Sequence, residues 1–222
     1  MSNNNIVIIG SSGHSKVIID IITKQSKYKI IGLIDNHKQS NEEVLGYPII
    51  GNDDYLETLY KKKNINKGII AVGDNWSRYK IYKNIKKNLP NFEFISAIHP
   101  TAIIGNNVSI GNGSVVMAGT VINPDSIVGD HCIINTKSSI DHDCHISDFA
   151  SIAPGVTTGG NVSIGKFSAI SLGVNIIHKI NIGENSLIGA SSLVIKDIPG
   201  ESVFIGNPCK FLRKRKKGEK YL

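Results

Sequence analysis

The chain has little of several things that would settle its class at once. Its 222 residues include three cysteines, Cys132, Cys144 and Cys209. An odd count in a chain of ordinary size argues against a disulfide framework and for reduced thiols. No apolar run approaches the roughly 20 residues that a transmembrane helix needs. The opening Met1-Ser2-Asn3-Asn4-Asn5 lacks the basic and long apolar regions of a secretion signal, so the expectation is a cytoplasmic protein with no membrane span. Aromatic residues make up only 6% of the chain, and no basic stripe is interleaved with them. The net charge of +7 sits almost wholly at the end. From Pro208 to Leu222 seven basic residues face one acidic residue, leaving +1 for the other 207 positions. A nucleic-acid surface is therefore not expected.

What is present changes character near residue 98. Up to Ile98, short apolar runs alternate with amphipathic stretches, the pattern of β-α-β units. Strands are expected at Ile6–Ile9, Lys29–Ile34, Gly68–Val72 and Phe92–Ile98. Helices are expected from Ser15, where Val17, Ile18, Ile21 and Ile22 recur at helical spacing, and over Asp53–Lys61 and Asn75–Lys87. Residues 1–98 thus read as a small parallel α/β domain.

Beyond His99-Pro100 the period becomes six. From Ile104 to Val194 every sixth residue is aliphatic except Thr158. Two places earlier stand mainly small or β-branched residues such as Ser114, Ser126, Cys132, Cys144 and Ser168, and one place later glycine recurs, as at Gly105, Gly129 and Gly165. An α-helix does not put every sixth residue on one face, whereas a coil of short strands turning each six residues does. This is the hexapeptide repeat of a parallel β-helix, over residues 99–206, followed by a basic C-terminal tail at 207–222. The aliphatic residue is expected to point inward, the small one to fit beside it, and glycine to relieve the corner backbone.

One corner carries chemistry. His142 lies between Asp141 and Asp143 among apolar and hydroxyl residues. Imidazole has a pKa suited to removing a proton near neutral pH, and a carboxylate on its other nitrogen would fix the tautomer. A solvated corner histidine is the other reading of the residues alone. One coil later, 18 residues on, Gly160 would let a backbone N–H approach a developing oxyanion. Gly10-Ser11-Ser12-Gly13 does not satisfy G-x-G-x-x-G, which argues against a dinucleotide redox cofactor. His142 and His178 are 36 residues apart, two coils or about 9.6 Å at roughly 4.8 Å per coil, too far to share a metal. No metal is expected.

Three motifs together resemble one branch of the hexapeptide acyltransferases, the sialic acid O-acetyltransferase and UDP-4-amino-sugar N-acetyltransferase family. They are Ile9-Gly10-Ser11-Ser12-Gly13-His14-Ser15-Lys16-Val17, then Ile140-Asp141-His142-Asp143-Cys144 with Ile152-Ala153-Pro154-Gly155, and finally Gly206-Asn207-Pro208-Cys209-Lys210. The resemblance implies a Rossmann-like N-terminal domain, a left-handed prism and a homotrimer. It implies His142 as general base with Asp143 as its partner, and acetyl-CoA as co-substrate near Gly160, Ala190, Lys210 and Arg213. It implies a nucleotide-sugar acceptor held by Gly13, His14 and Asp35. The expected reaction is acetyl transfer to the amine of a nucleotide-linked amino-deoxy sugar in surface glycan assembly, with acetylation of a hydroxyl, as on sialic acid, the alternative. One departure stands out: many relatives carry a second histidine just before Ile152, where this chain has Ser151.

Overall fold

The computed structural model describes residues 4–38, 42–63 and 65–221. In the first part, β1 (Asn5–Ile9), α1 (Gly13–Gln25), β2 (Lys29–Ile34), β3 (Glu43–Val44), β4 (Tyr47–Gly51), α2 (Asp53–Lys63), β5 (Lys67–Ile70), α3 (Asn75–Asn88) and β6 (Glu93–Phe94) follow in order. The sheet order is β3-β4-β2-β1-β5-β6, parallel except for the β3–β4 hairpin. The run Ile6-Val7-Ile8-Ile9 is buried along its length, as a central parallel strand covered on both faces requires.

The expected strand Phe92–Ile98 splits in two. Glu93–Phe94 closes the first sheet, and Ala97–Ile98 is already β7, pairing with Val115–Val116 of the repeat. The N–H of Ile95 donates to Gly68 O, and that of Ala97 to Ser114 O. One apolar run therefore serves two sheets.

From β7 a two-residue strand recurs every six residues up to β23 (Leu193–Val194). The strands stack as three parallel walls: the first contains β7, β10, β13, β16, β19 and β22, the second β8 to β23 in steps of three, the third β9 to β21. Register is 18 residues, as in Val116↔Ile134↔Ile152↔Ile170↔Ile188. The inward aliphatic residues form one core, with Ile134, Ile152 and Ile188 fully buried. The small positions are buried because they stitch coils together. Ser114 Oγ donates to Gly129 O and accepts from the N–H of Cys132, each at 2.8 Å.

Glycine after the aliphatic position acts differently from expectation. Gly105 is not in the left-handed region; a Cβ there would lie 2.6 Å from Pro124 N of the next coil. The positive φ of the corner falls two residues later, on Gly113, Gly119, Gly155 and Gly173 in some hexads and on non-glycine residues in others, including Asn107, His131, Asp143, Phe149 and Phe167 with φ between 54° and 60°. The glycines after the aliphatic position thus make room for stacking, and the turn is carried two residues on.

The two parts share a core. Ile18, Ile19 and Ile22 of α1 pack with Ala97, Val115, Met117 and Ile133 on the outside of the first wall. Helix α3 lies on a corner formed by His131, Phe149 and Phe167, whose rings stack at 4.9 and 5.6 Å, with Tyr79 and Tyr82 against them. The basic end is ordered. After β24 (Ser202–Ile205) comes β25 (Lys210–Lys214), antiparallel to it, and Arg215 is buried at 4% exposure.

Candidate active site

His142 stands on the corner between the second and third walls. Its Nδ1 is 2.6 Å from Asp143 Oδ2, and its backbone N–H donates to Asp141 Oδ1. Asp141 is held in turn by Asn123 Nδ2, and its own N–H reaches Thr158 Oγ1. Thr158, the break in the aliphatic series, is therefore a buried hydroxyl that fixes this corner. The Asp143 hydrogen bond raises the His142 pKa above its ordinary value, with Asp141 adding to the effect, while Asn123 holds the Asp141 carboxyl below its own. The imidazole is half exposed. It lies over Gly160, where a Cβ would be 2.5 Å from His142 Nε2. Among the described residues the Gly160 N–H has no hydrogen-bond partner, although the residue is buried. A base with one nitrogen fixed and the other over a bare backbone amide suits acyl transfer.

The turn after β1 lies where the strand order reverses, outside the carboxyl ends of β1 and β5, the usual ligand crevice of such sheets. Gly13 and His14 line a cavity of about 420 Å³ there, together with Gly73, Met117, Ser151 and Tyr221. Among the described residues His14 Nε2 is buried without a partner, and burial, helped by the charge of Arg78, pushes the pKa down to about 4. Asp35 lies apart from them, in a second cavity with Lys38, Asn52 and Tyr55. Burial pushes its carboxyl up, but hydrogen bonds from Ser11 Oγ and the N–H groups of Ser11 and His37 outweigh this and hold it below the usual range.

The prism corners separate the remaining candidates. Ala190 is exposed on the corner between the first and second walls, in line with the cavity residues Thr136, Pro154 and Leu172. Gly160 shares the corner of His142. Lys210 borders a cavity with Ile195, Lys196 and Cys209, at the far end of that same corner column. Lys196 of this cavity lies three coils from His142, or about 14 Å at roughly 4.8 Å per coil. Arg213 is paired with Glu219 at 2.6 Å. Within one chain the structure does not bring His142 to Gly13 and His14, because they belong to different corners.

The N-terminal region, residues 5–85, matches the family model for the PglD N-terminal domain. The chain is 25% identical over 205 residues to the GDP-perosamine N-acetyltransferase of Escherichia coli O157:H7, covering 90% of this chain and 81% of that protein. Among solved structures, PerB from Caulobacter crescentus, in complex with CoA and GDP-perosamine, is 33% identical with a TM-score of 0.88, covering 94% of this chain and 97% of that one. The chain belongs to the hexapeptide-repeat sugar N-acetyltransferases. The acetyltransferase domain of PglB from Neisseria gonorrhoeae FA1090, in complex with acetyl coenzyme A, agrees at 32% identity and a TM-score of 0.87 over 95% of this chain and all of that one. With this family's fold, the prism is a left-handed parallel β-helix behind a Rossmann-like region.

For a member of this family, Ser151 is the departure expected from the sequence, and the structure shows its surroundings. Ser151 Oγ donates to Asn75 Oδ1 and receives Arg78 Nη2 at 3.4 Å. Arg78 is fully buried and, among the described residues, forms no ion pair with a carboxylate. Its Nε donates to His131 O and its Nη1 to Val72 O and Gly73 O, locking α3 to the prism. Tyr221 completes the group, 2.9 Å from Asn75 Oδ1. Sequence reading passed over Asn75, Arg78, Arg215 and Tyr221. One signal was there: only three of the 25 basic residues are arginine, and two of them, Arg78 and Arg215, are buried. Cys132 and Cys144 are buried inward-facing packing residues, and burial pushes the Cys132 thiol up to about 12.

Proposed function

We propose that the protein transfers the acetyl group of acetyl-CoA to the amine of a nucleotide-linked amino-deoxy sugar, with His142 as general base. The observation that carries this is the His142 corner: Nδ1 bonded to Asp143, and Nε2 over the open backbone of Gly160. The neutral amine attacks the thioester carbonyl, and His142 Nε2 takes its proton as the C–N bond forms. The Gly160 N–H stabilises the oxyanion. Collapse breaks the C–S bond, and the departing thiolate takes up a proton to leave as CoA. Asp143 orients the imidazole and stabilises its charged form. Acetyl-CoA lies along the corner column, its thioester at His142 and its phosphates toward Lys210, with Arg213 beyond.

The acceptor lies over the crevice of Gly13 and His14, with Asp35 on the nucleotide side. The crevice and His142 belong to different corners, so the complete site forms where the His142 corner of one prism meets the cavity corner of the next. This reading calls for a homotrimer, with Ala190 of the cavity corner facing the bound thioester. Its setting is the cytoplasm, where acetyl-CoA and nucleotide sugars are made and thiols stay reduced. The product would serve surface glycan assembly.

A thiol-release assay pairing acetyl-CoA with GDP- and UDP-linked 4-amino sugars and with free sialic acid tests the reading. CoA release is expected with a nucleotide amino sugar. Release with sialic acid alone would instead make the enzyme an O-acetyltransferase working through the same base.

A further inference from the structure

The segment after β25 folds back and returns to the seam between the two parts. Arg215 is buried, its N–H donating to Glu201 O and its Nη2 to Glu219 O. Lys216 and Glu219 close a turn in which each backbone N–H is bonded, that of Lys216 to Glu219 Oε2 and that of Glu219 to Lys216 O. Gly218 rests on the Trp76 indole of α3, where a Cβ would lie 2.8 Å from Nε1. The chain then presents Tyr221, with Arg215 5.3 Å over its ring, as a wall of the cavity that holds Gly13 and His14.

The proton on the tyrosine hydroxyl has a fixed destination. Asn75 Nδ2 donates to Phe167 O and Ser168 O, which fixes the orientation of the amide. Its Oδ1 therefore points to the other side, where it accepts from Arg78 Nη2, Ser151 Oγ and Tyr221. Among the described residues the backbone group within reach of the phenol, Gly73 O at 3.2 Å, is also an acceptor. Ser151 Oγ also lies 3.3 Å from the phenol, but both hydroxyls are nearest to Asn75 Oδ1 and donate to it, Tyr221 at 2.9 Å. The lone pairs of the phenol oxygen remain, at the edge of a cavity otherwise walled largely by Val17, Met117, Ile133, Ala153, Pro154 and Leu172.

We infer that Tyr221 is a specificity-determining residue of the acceptor site, its phenol oxygen accepting a hydrogen bond from a hydroxyl or amine of the sugar ring. The inference rests on the acceptor reading above and adds to it a residue from the far end of the chain. Burial holds the phenol pKa up, so it stays protonated and anchored to the Asn75 amide. The largely apolar walls reward a sugar with few hydroxyls, and the oriented phenol oxygen selects the ring donor that faces it.

Tyr221→Phe keeps the ring, the Arg215 contact and two of the three donors to Asn75, and removes only the oxygen. With GDP-perosamine as probe, its KM is expected to rise about 3- to 10-fold, the scale of one hydrogen bond. The KM of acetyl-CoA, the thermal midpoint and the affinity for GDP alone should stay within about twofold on the same scale. An unchanged KM for GDP-perosamine overturns the proposal. So does weakening that falls equally on GDP, since that marks a structural role at the seam. Wild-type enzyme that releases no CoA with any nucleotide amino sugar would overturn the underlying acceptor reading instead, before Tyr221 is touched.

Discussion

His142 has one nitrogen bound to a carboxylate and the other over a glycine, and both sides can be tested. His142→Ala is expected to lower kcat by about 10²- to 10⁴-fold while acetyl-CoA still binds. Asp143→Asn should cost less, and the double variant little more than His142→Ala, because the pair acts as a unit. The base works only when deprotonated, so kcat/KM rises with pH through the His142 pKa. The Asp143 bond raises that pKa, which puts the rise above 6.5 in wild type, and Asp143→Asn should move it down. A pH profile with no such displacement would remove Asp143 from its role. Gly160→Ala forces a methyl group against the imidazole, and kcat should fall about 10²-fold for a displacement near 1 Å. At this scale the sequence is readable where local spacing makes the site. His142 and Asp143 are neighbours, and Gly160 is one coil on. Arg78 and Tyr221 escape because the partners that place them on the prism and against α3, from His131 to Ser151 for Arg78 and Asn75 for Tyr221, lie 53 to 146 residues away.

Among the elements, the aromatic corner under α3 shows how repeat position and helix packing combine. His131, Phe149 and Phe167 occupy equivalent places one coil apart and share a positive φ, so phenylalanine suits position 131 as it suits the next two. Burial, reinforced by the nearby Arg78 charge, pushes the His131 pKa down to about 3. The unfolded chain takes up that proton once pH falls below about 6.5, whereas the fold does not until near 3. Stability is therefore lost as pH drops through this window, by at most about 1.4 kcal/mol per pH unit for this group. His14 adds a loss of the same sign down to about 4. His131→Phe should lower the thermal midpoint less than wild type on going from pH 7 to pH 5. An equal drop in both would show that the ladder histidine does not set acid stability. The hexads are legible because each repeats the same inward residue. The β3–β4 hairpin and the split of Phe92–Ile98 are not, since a two-residue strand has no period and an apolar run carries no mark of where one sheet hands over to the next.

At the scale of the molecule, the three corners divide the labour. The first carries α3, the second borders the cavity of Gly13, His14 and Tyr221, and the third holds His142 and Gly160. The account therefore needs neighbouring copies, and sedimentation at micromolar concentration is expected to give a trimer. A stable monomer with full activity would contradict it. The motifs in the sequence indicate the parts of the proposed site, and the reading that two copies share it rests on the 18-residue register, which places Ser151 on the first wall and His142 at the corner of the second and third. The most direct measurement is co-expression of two inactive chains. His142→Ala lacks the base, and Val17→Trp fills the cavity from the exposed face of α1. If each site joins the base of one copy to the cavity of the next, random mixed trimers in equal amounts should recover about one quarter of wild-type activity. Mixed trimers no more active than either parent would contradict the shared site and return His142 and the cavity to the same chain.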